Sequence, residues 1–171
     1  MNDFPKDHLE YLWSPWRVEY FQRDRSVEED FFDEAARTSD DATALVVARN
    51  KTAFLMMNKY PYAAGHLMAV PYRRTSKMED LGPDEVIDLW NLALRAQLLL
   101  RQVAQAQGFN VGFNIGAAGG AGYEEHIHLH IVPRWPGDQN FMPMIAGTRI
   151  IPEALMPLYE KLVAANAKLP T

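Results

Sequence analysis

The chain has 171 residues, 48% apolar and 23% charged, with a formal net charge of −5 and no cysteine. That length suits one domain with a sizeable core, and the mix is that of a globular chain rather than a disordered one. The acidic balance excludes broad nucleic-acid coating, which relies on clustered Lys and Arg. Without thiols there are no disulfides, cysteine nucleophiles or thiolate metal sites. No run approaches the ~20 apolar residues of a membrane span. Met1-Asn2-Asp3-Phe4-Pro5 lacks the basic and apolar regions of a secretory signal. A cytoplasmic protein with neither nucleic-acid nor membrane partners is expected.

Residues 1–41 read as a peripheral extension: Trp13-Ser14-Pro15-Trp16-Arg17 is turn-like, and acidic and polar residues then surround Phe31-Phe32. Ala44 to Ala48 reads as a strand, Arg49-Asn50-Lys51 as a turn, and Ala53 to Met57 as a second strand. Tyr60 to Gly65 is punctuated as a loop, and His66 to Pro71 reads as a third strand. A long helix opens at Pro83, where a first helical position tolerates proline, with Asp84 and Glu85 suiting the positive end of its dipole. Val86, Leu89, Trp90, Ala93, Leu100 and Val103 form its stripe, and Gly108 is the expected stop. Ile87, Leu94 and Leu98 lie on a neighbouring face, which leaves either a well-covered helix or a subunit contact. Phe109 to Ile115 reads as a strand, Gly116 to Gly122 as a glycine-rich loop, and His126 to Pro133 as another strand. Pro152 to Ala167 reads as a helix with Leu155, Leu158, Leu162 and Val163 on one side, kinked or started by Pro157. The whole predicts one α+β domain over 1–171 on an antiparallel sheet of about five strands. Its catalytic core is 42–150, and a C-terminal helix and tail follow over 151–171.

His126-Ile127-His128-Leu129-His130 places three of the five histidines in strict alternation with large aliphatics. On a strand this lines the imidazoles along one face, about 6.6–7 Å apart, with the aliphatics turned inward. Core packing does not explain it, because three aligned buried imidazoles would each need partners. His-x-His on a strand can grip zinc, whereas a third histidine at i+4 is too far for the same ion. Alternatively one imidazole attacks an electrophile while its neighbours position and protonate it. Gly116, Gly119, Gly120 and Gly122 just before the strand favour the second reading, since glycine lets backbone N–H groups turn toward an anion.

His126 to Val132 matches the pattern of the histidine triad (HIT) superfamily of nucleotide hydrolases and transferases. The chain resembles the branch of dinucleoside polyphosphate hydrolases and phosphorylases that includes the fragile histidine triad protein. Leu12 to Arg17, Asn58 with Gly65-His66, Asn114-Ile115-Gly116 and Pro133 to Phe141 extend the likeness over roughly 12–165. The resemblance implies His128 as the nucleophile at the α-phosphorus, forming a nucleotidyl-imidazole intermediate. His126 and His130 would orient that ring and hydrogen-bond the phosphate or leaving group, and His66 would help hold the pocket. Asn114 and the backbone of Gly120, Ala121 and Gly122 would contact phosphate oxygens. Asn58 would bind ribose hydroxyls, and Met56 would flank the base. A homodimer is also implied. No tightly bound cofactor is expected; Mg2+ or Mn2+ would only accompany the polyphosphate.

The chain departs from many relatives in having Asp30-Phe31-Phe32-Asp33 where they carry a Cys-x-x-Cys pair that helps hold structural zinc. Two carboxylates do not reproduce a thiolate site, so no metal is expected there. Gly122 stands where several relatives have a hydroxyl, which leaves the acceptor open. With Glu124 and Glu125 adding negative charge, water is favoured over inorganic phosphate, hydrolysis over phosphorolysis. A nucleotide-binding module without turnover and a zinc-dependent hydrolase using His126 and His128 are the rival readings.

Overall fold

A computed structural model describes residues 31–138 and 154–170. The Leu12 to Arg17 stretch, Gln139 to Phe141 of the family-like segment and Pro152, the expected start of the last helix, lie outside them. Five strands make one antiparallel sheet: β1 (Val46–Arg49), β2 (Ala53–Met57), β3 (Leu67–Pro71), β4 (Gly108–Phe113) and β5 (Leu129–Arg134), in spatial order β1-β2-β3-β5-β4. Helices α1 (Phe31–Arg37), α2 (Pro83–Ala104) and α3 (Leu155–Asn166) complete the α+β fold.

Alternation along the strands splits the core in two. Leu55, Met57, Leu67, Ala69, Leu129 and Ile131 face α2 and α3, where they meet Leu89, Leu92, Ala96 and Leu99 of α2 and Leu158 and Leu162 of α3. Phe54, Met56, Met68 and Val70 face the other way, onto Phe32 and Ala35 of α1. Covered on both sides, β2 and β3 are buried at every position. Each such large side chain contributes about 1.5–3 kcal/mol by leaving water.

Helix α2 begins with Pro83 in its first turn, and the Glu85 carboxylate accepts the Gly82 N–H at 2.8 Å. The stripe is turned relative to the one expected. Leu89, Leu92, Ala93, Ala96, Leu99 and Leu100 are buried, while Trp90 is 45% exposed. Trp90 instead joins Ile87, Leu94 and Leu98 (57, 58 and 56% exposed) on a ridge facing away from the sheet. The stop falls before Gly108, at Gln105, which takes the left-handed conformation while the Ala106 N–H bonds the Leu100 carbonyl. Gly108 is already the first residue of β4, because Gln107 N–H has reached the Arg134 carbonyl at 3.0 Å.

In α3, Pro157 falls in the first turn and marks the start, with no N–H needed there. Tyr159 and Ala165 are buried, and Val163 is exposed, contrary to the expected stripe. Tyr159 Oη and Asn166 Nδ2 donate to the Val46 and Val47 carbonyls, satisfying β1 where its register is irregular. The first strand therefore runs two residues later than expected at its start, from Val46.

The triad segment differs most. Only Leu129–Arg134 is strand, pairing with β3 from Leu67 to Ala69, so His126 and His128 lie on the approach to it. There the Ile127 N–H bonds the Thr75 carbonyl at 2.7 Å, beyond the end of β3 at Pro71. Residues 31–37, expected to be peripheral, form a helix whose Phe32 is fully buried.

Candidate active site

His128 and His130 project from the same face of the sheet as Met68 and Met56, on the side away from α2 and α3. His128 Nδ1 lies 2.9 Å from the backbone carbonyl of His126. A carbonyl only accepts, so Nδ1 carries the proton and Nε2 keeps its lone pair. Burial is the main influence on this ring, which is 7% exposed, and it pushes the imidazole pKa below its ordinary value. The hydrogen bond to His126 opposes that shift and the charge of the His126 ring adds to it. His128 is therefore a neutral imidazole at neutral pH with a bare Nε2, the form a nucleophile requires.

His126 is fully buried, and its Nε2 donates to the Pro71 carbonyl at 2.8 Å. It orients His128 through its carbonyl rather than through its ring. Phe32 packs against both rings, its centroid 5.3 Å from His126 and 4.9 Å from His128. The sequence offered no sign of that contact, because α1 lies almost a hundred residues upstream.

His130 Nδ1 lies 2.9 Å from His66 Nε2. His66 Nδ1 meets the Tyr62 N–H at 3.2 Å and Asn58 Nδ2 at 3.3 Å. His66 is placed by Gly65, whose φ of +78° suits glycine and whose missing Cβ would stand 2.8 Å from Leu100 Cδ2. Asn58 is committed at both ends of its amide, since its Oδ1 accepts the Tyr60 N–H at 2.8 Å. It therefore clamps the turn and steadies His66. The Asn114 amide lies 3.3 Å from His130 Nε2, 3.3 Å from the Tyr62 hydroxyl and 3.4 Å from the Gly120 carbonyl.

The glycine loop is arranged differently from the expectation. Gly120 N–H bonds the Ala117 carbonyl at 2.9 Å and Ala121 N–H bonds the Gly116 carbonyl at 3.2 Å. These two donors close the loop on itself instead of facing an anion, with Gly120 left-handed at φ +82°. Gly122 follows directly, ahead of the triad. Glu124 accepts the Ala117 N–H at 3.0 Å, and Glu125 is paired with Arg74. Arg134 is engaged by Asp138 and Asn110, so its charge is spent on pinning the loop after β5. The Arg134 guanidinium holds the Asp138 carboxyl below its ordinary range.

Met56 lines a cavity of about 120 Å³ together with Phe31, Ala35, Thr43 and Lys59, between α1 and β2. Asn58 lies in a different recess, beside His66, Pro61 and Leu155. Lys59 borders both. Among the described residues no group of three His, Cys, Asp or Glu side chains is placed to hold a metal ion. Of the stretch matching the zinc-binding pair of relatives, Phe32 is packed on the histidines and Asp33 pairs with Arg37 and Arg74.

A family model described as the HIT domain matches residues 39–137. An AP-4-A phosphorylase of Mycobacterium tuberculosis is 39% identical over 173 residues, covering 96% of this chain and 88% of that relative. An asymmetrical bis(5'-nucleosyl)-tetraphosphatase of Schizosaccharomyces pombe is 31% identical over 93 residues, 54% of this chain and 50% of its own. Among solved structures, a Zn-bound histidine triad family protein from Mycobacterium smegmatis matches with a TM-score of 0.64 at 27% identity, over 80% of this chain and 92% of that one. The chain belongs to the histidine triad family.

Proposed function

We propose that this protein is an enzyme that cleaves dinucleoside polyphosphates, such as diadenosine tetraphosphate, at the α-phosphate through a nucleotidyl-His128 intermediate. The observation that carries the reading is the tautomer of His128, whose Nδ1–H is held by the His126 carbonyl and whose Nε2 is bare. The Nε2 lone pair attacks the α-phosphorus, forming a P–N bond as the bond to the bridging oxygen breaks and ATP departs. The positive charge that develops on the ring is met by the His126 carbonyl at Nδ1. Water then attacks phosphorus, the P–N bond breaks and AMP leaves. Asn114 and His130 face the phosphate, and the cavity beside Met56 takes the base. Mg2+ or Mn2+ belongs to this reading only as company of the polyphosphate, in the cytoplasm.

The 39% identity to a protein named AP-4-A phosphorylase favours a second acceptor, inorganic phosphate. The pairing of Glu125 with Arg74 also removes part of the negative charge that argued for water. Product chromatography from diadenosine tetraphosphate, with and without millimolar phosphate, decides between them. Hydrolysis gives AMP plus ATP regardless of phosphate. If phosphate accelerates turnover and ADP replaces AMP, water is not the acceptor.

The reading includes a homodimer. The ridge of Ile87, Trp90, Leu94 and Leu98 on α2 supports it, because four large apolar side chains in line are costly to leave in water. Among the described residues no helix is long and apolar enough to cross a membrane.

A further inference from the structure

Tyr62 touches both His66 and Asn114, the polar side chains that flank His130, and nothing in the triad pattern accounts for it. Its backbone N–H meets His66 Nδ1 at 3.2 Å. Its ring lies 4.6 Å from the His66 ring and 5.6 Å from the His130 ring. Its hydroxyl is 3.3 Å from the Asn114 amide. A backbone N–H can only donate, so His66 Nδ1 accepts, and the proton of the neutral ring sits on Nε2. His66 Nε2–H then donates to His130 Nδ1, which leaves the His130 proton on Nε2. Two donors cannot share a hydrogen bond, so Asn114 must turn its oxygen, not its nitrogen, toward His130 Nε2. The Tyr62 O–H donates to that same oxygen. The Gly120 carbonyl, at 3.4 Å, would prefer the opposite placement, and it is outweighed by two donors. The Asn114 NH2 is then directed away from His130 and Tyr62.

We propose that Tyr62 is a positioning residue: its N–H sets the direction of the hydrogen-bond chain through His66 and His130, and its hydroxyl sets the orientation of the Asn114 amide. Acting together, the two handles spend the His130 Nε2–H on the Asn114 oxygen and leave the Asn114 NH2 as the N–H donor presented to the phosphate. The inference rests on the proposed reaction for what that donor serves, but the proton positions are a property of the resting protein.

The first arm is long-range 1H–15N correlation of the histidine rings in the unliganded protein at neutral pH. His66 and His130 are expected to carry the proton on Nε2, and His128 on Nδ1. A proton on Nδ1 of His130 overturns the proposal, whatever the enzyme's activity. The second arm is Tyr62→Phe, which keeps the backbone N–H and the ring and removes only the hydroxyl. With one of the two donors to the Asn114 oxygen gone and the Gly120 carbonyl competing for the amide, kcat is expected to fall about tenfold, or ~1.4 kcal/mol, with KM within twofold of the parent. The His130 tautomer and the melting temperature should stay as in the parent. A lowered melting temperature with unchanged kcat means that the hydroxyl only supports packing, and the proposal fails. If the parent protein turns over no dinucleoside polyphosphate, the reading of the reaction fails, and the tautomers alone decide the proton chain.

Discussion

Phe32 couples the stability of this protein to the titration of His128, the nucleophile of the proposed reaction, and replacing it separates the two. The ring is fully buried and packs 4.9 Å from His128. Truncation to alanine removes a payload worth about 3–5 kcal/mol, a large share of the ~5–15 kcal/mol that holds a typical domain. Phe32→Leu is the usable perturbation, because it keeps most of the volume and costs ~1–2 kcal/mol. Its second effect falls on His128. Burial is the first cause of the lowered pKa there, so admitting water beside the ring lets that pKa rise toward its ordinary value. The sign follows from linkage. A histidine depressed in the folded state binds fewer protons than in the unfolded chain, so its full stability holds above the ordinary value of 6.5 and falls as pH drops below it. In the proposed reaction the same group governs the acid limb of kcat/KM, since protonated His128 has no lone pair to offer. In Phe32→Leu that limb should move to higher pH, and the loss of stability on acidification should shrink. The assay is kcat/KM against pH for diadenosine tetraphosphate cleavage, with melting curves in the same buffers. An acid limb that stays put or moves lower, in a variant whose melting temperature has dropped, refutes the assignment of the limb to a desolvated His128.

The remaining expectations are simpler. His128→Asn removes the nucleophile, so turnover should fall by at least about four decades, ~5.5 kcal/mol, with nucleotide binding by calorimetry largely retained. Keeping a tenth of the parent kcat would sink the role of His128. Leu94→Glu with Leu98→Glu puts two charges on the exposed α2 ridge and should convert a dimer into monomers by light scattering, with the fold intact. A parent that is already monomeric at micromolar concentration excludes the dimer.

What could be read ahead depended on whether the relevant physics is local. β2 was legible at both ends because an apolar run of strand length sits between a turn and a Pro/Gly loop. The start of α2 was legible because Pro83-Asp84-Glu85 states its own first turn. The alternation of His126, His128 and His130 pointed to a site because it is a pattern no core needs. Trp90 was misplaced because two adjacent helical stripes were both apolar, and only the sheet decides which one it covers. Gly120 and Ala121 were expected to offer N–H groups outward, but the closing of the loop on Gly116 and Ala117 is a matter of backbone torsion that composition does not reveal. The contacts of Phe32 with His128 and of Tyr62 with His130 join segments far apart in the chain. Proton positions on the imidazoles became readable only once their carbonyl and N–H partners were known.

Helix α1 has only seven residues, fewer than a helix needs to persist in water on its own. It is held by Phe32 against the histidines and by Arg49, whose guanidinium grips the Ala35 and Thr38 carbonyls at 2.7 and 3.2 Å and pairs with Asp41. Ala35 in the core and the Asp33–Arg74 pair add to that hold, and an element this short is expected to open locally before the five-stranded sheet beneath it. Each opening should expose His128 to water without disturbing β2 or β3. Amides of α1 should exchange with solvent by this subglobal route, while those of the central strands wait for global unfolding.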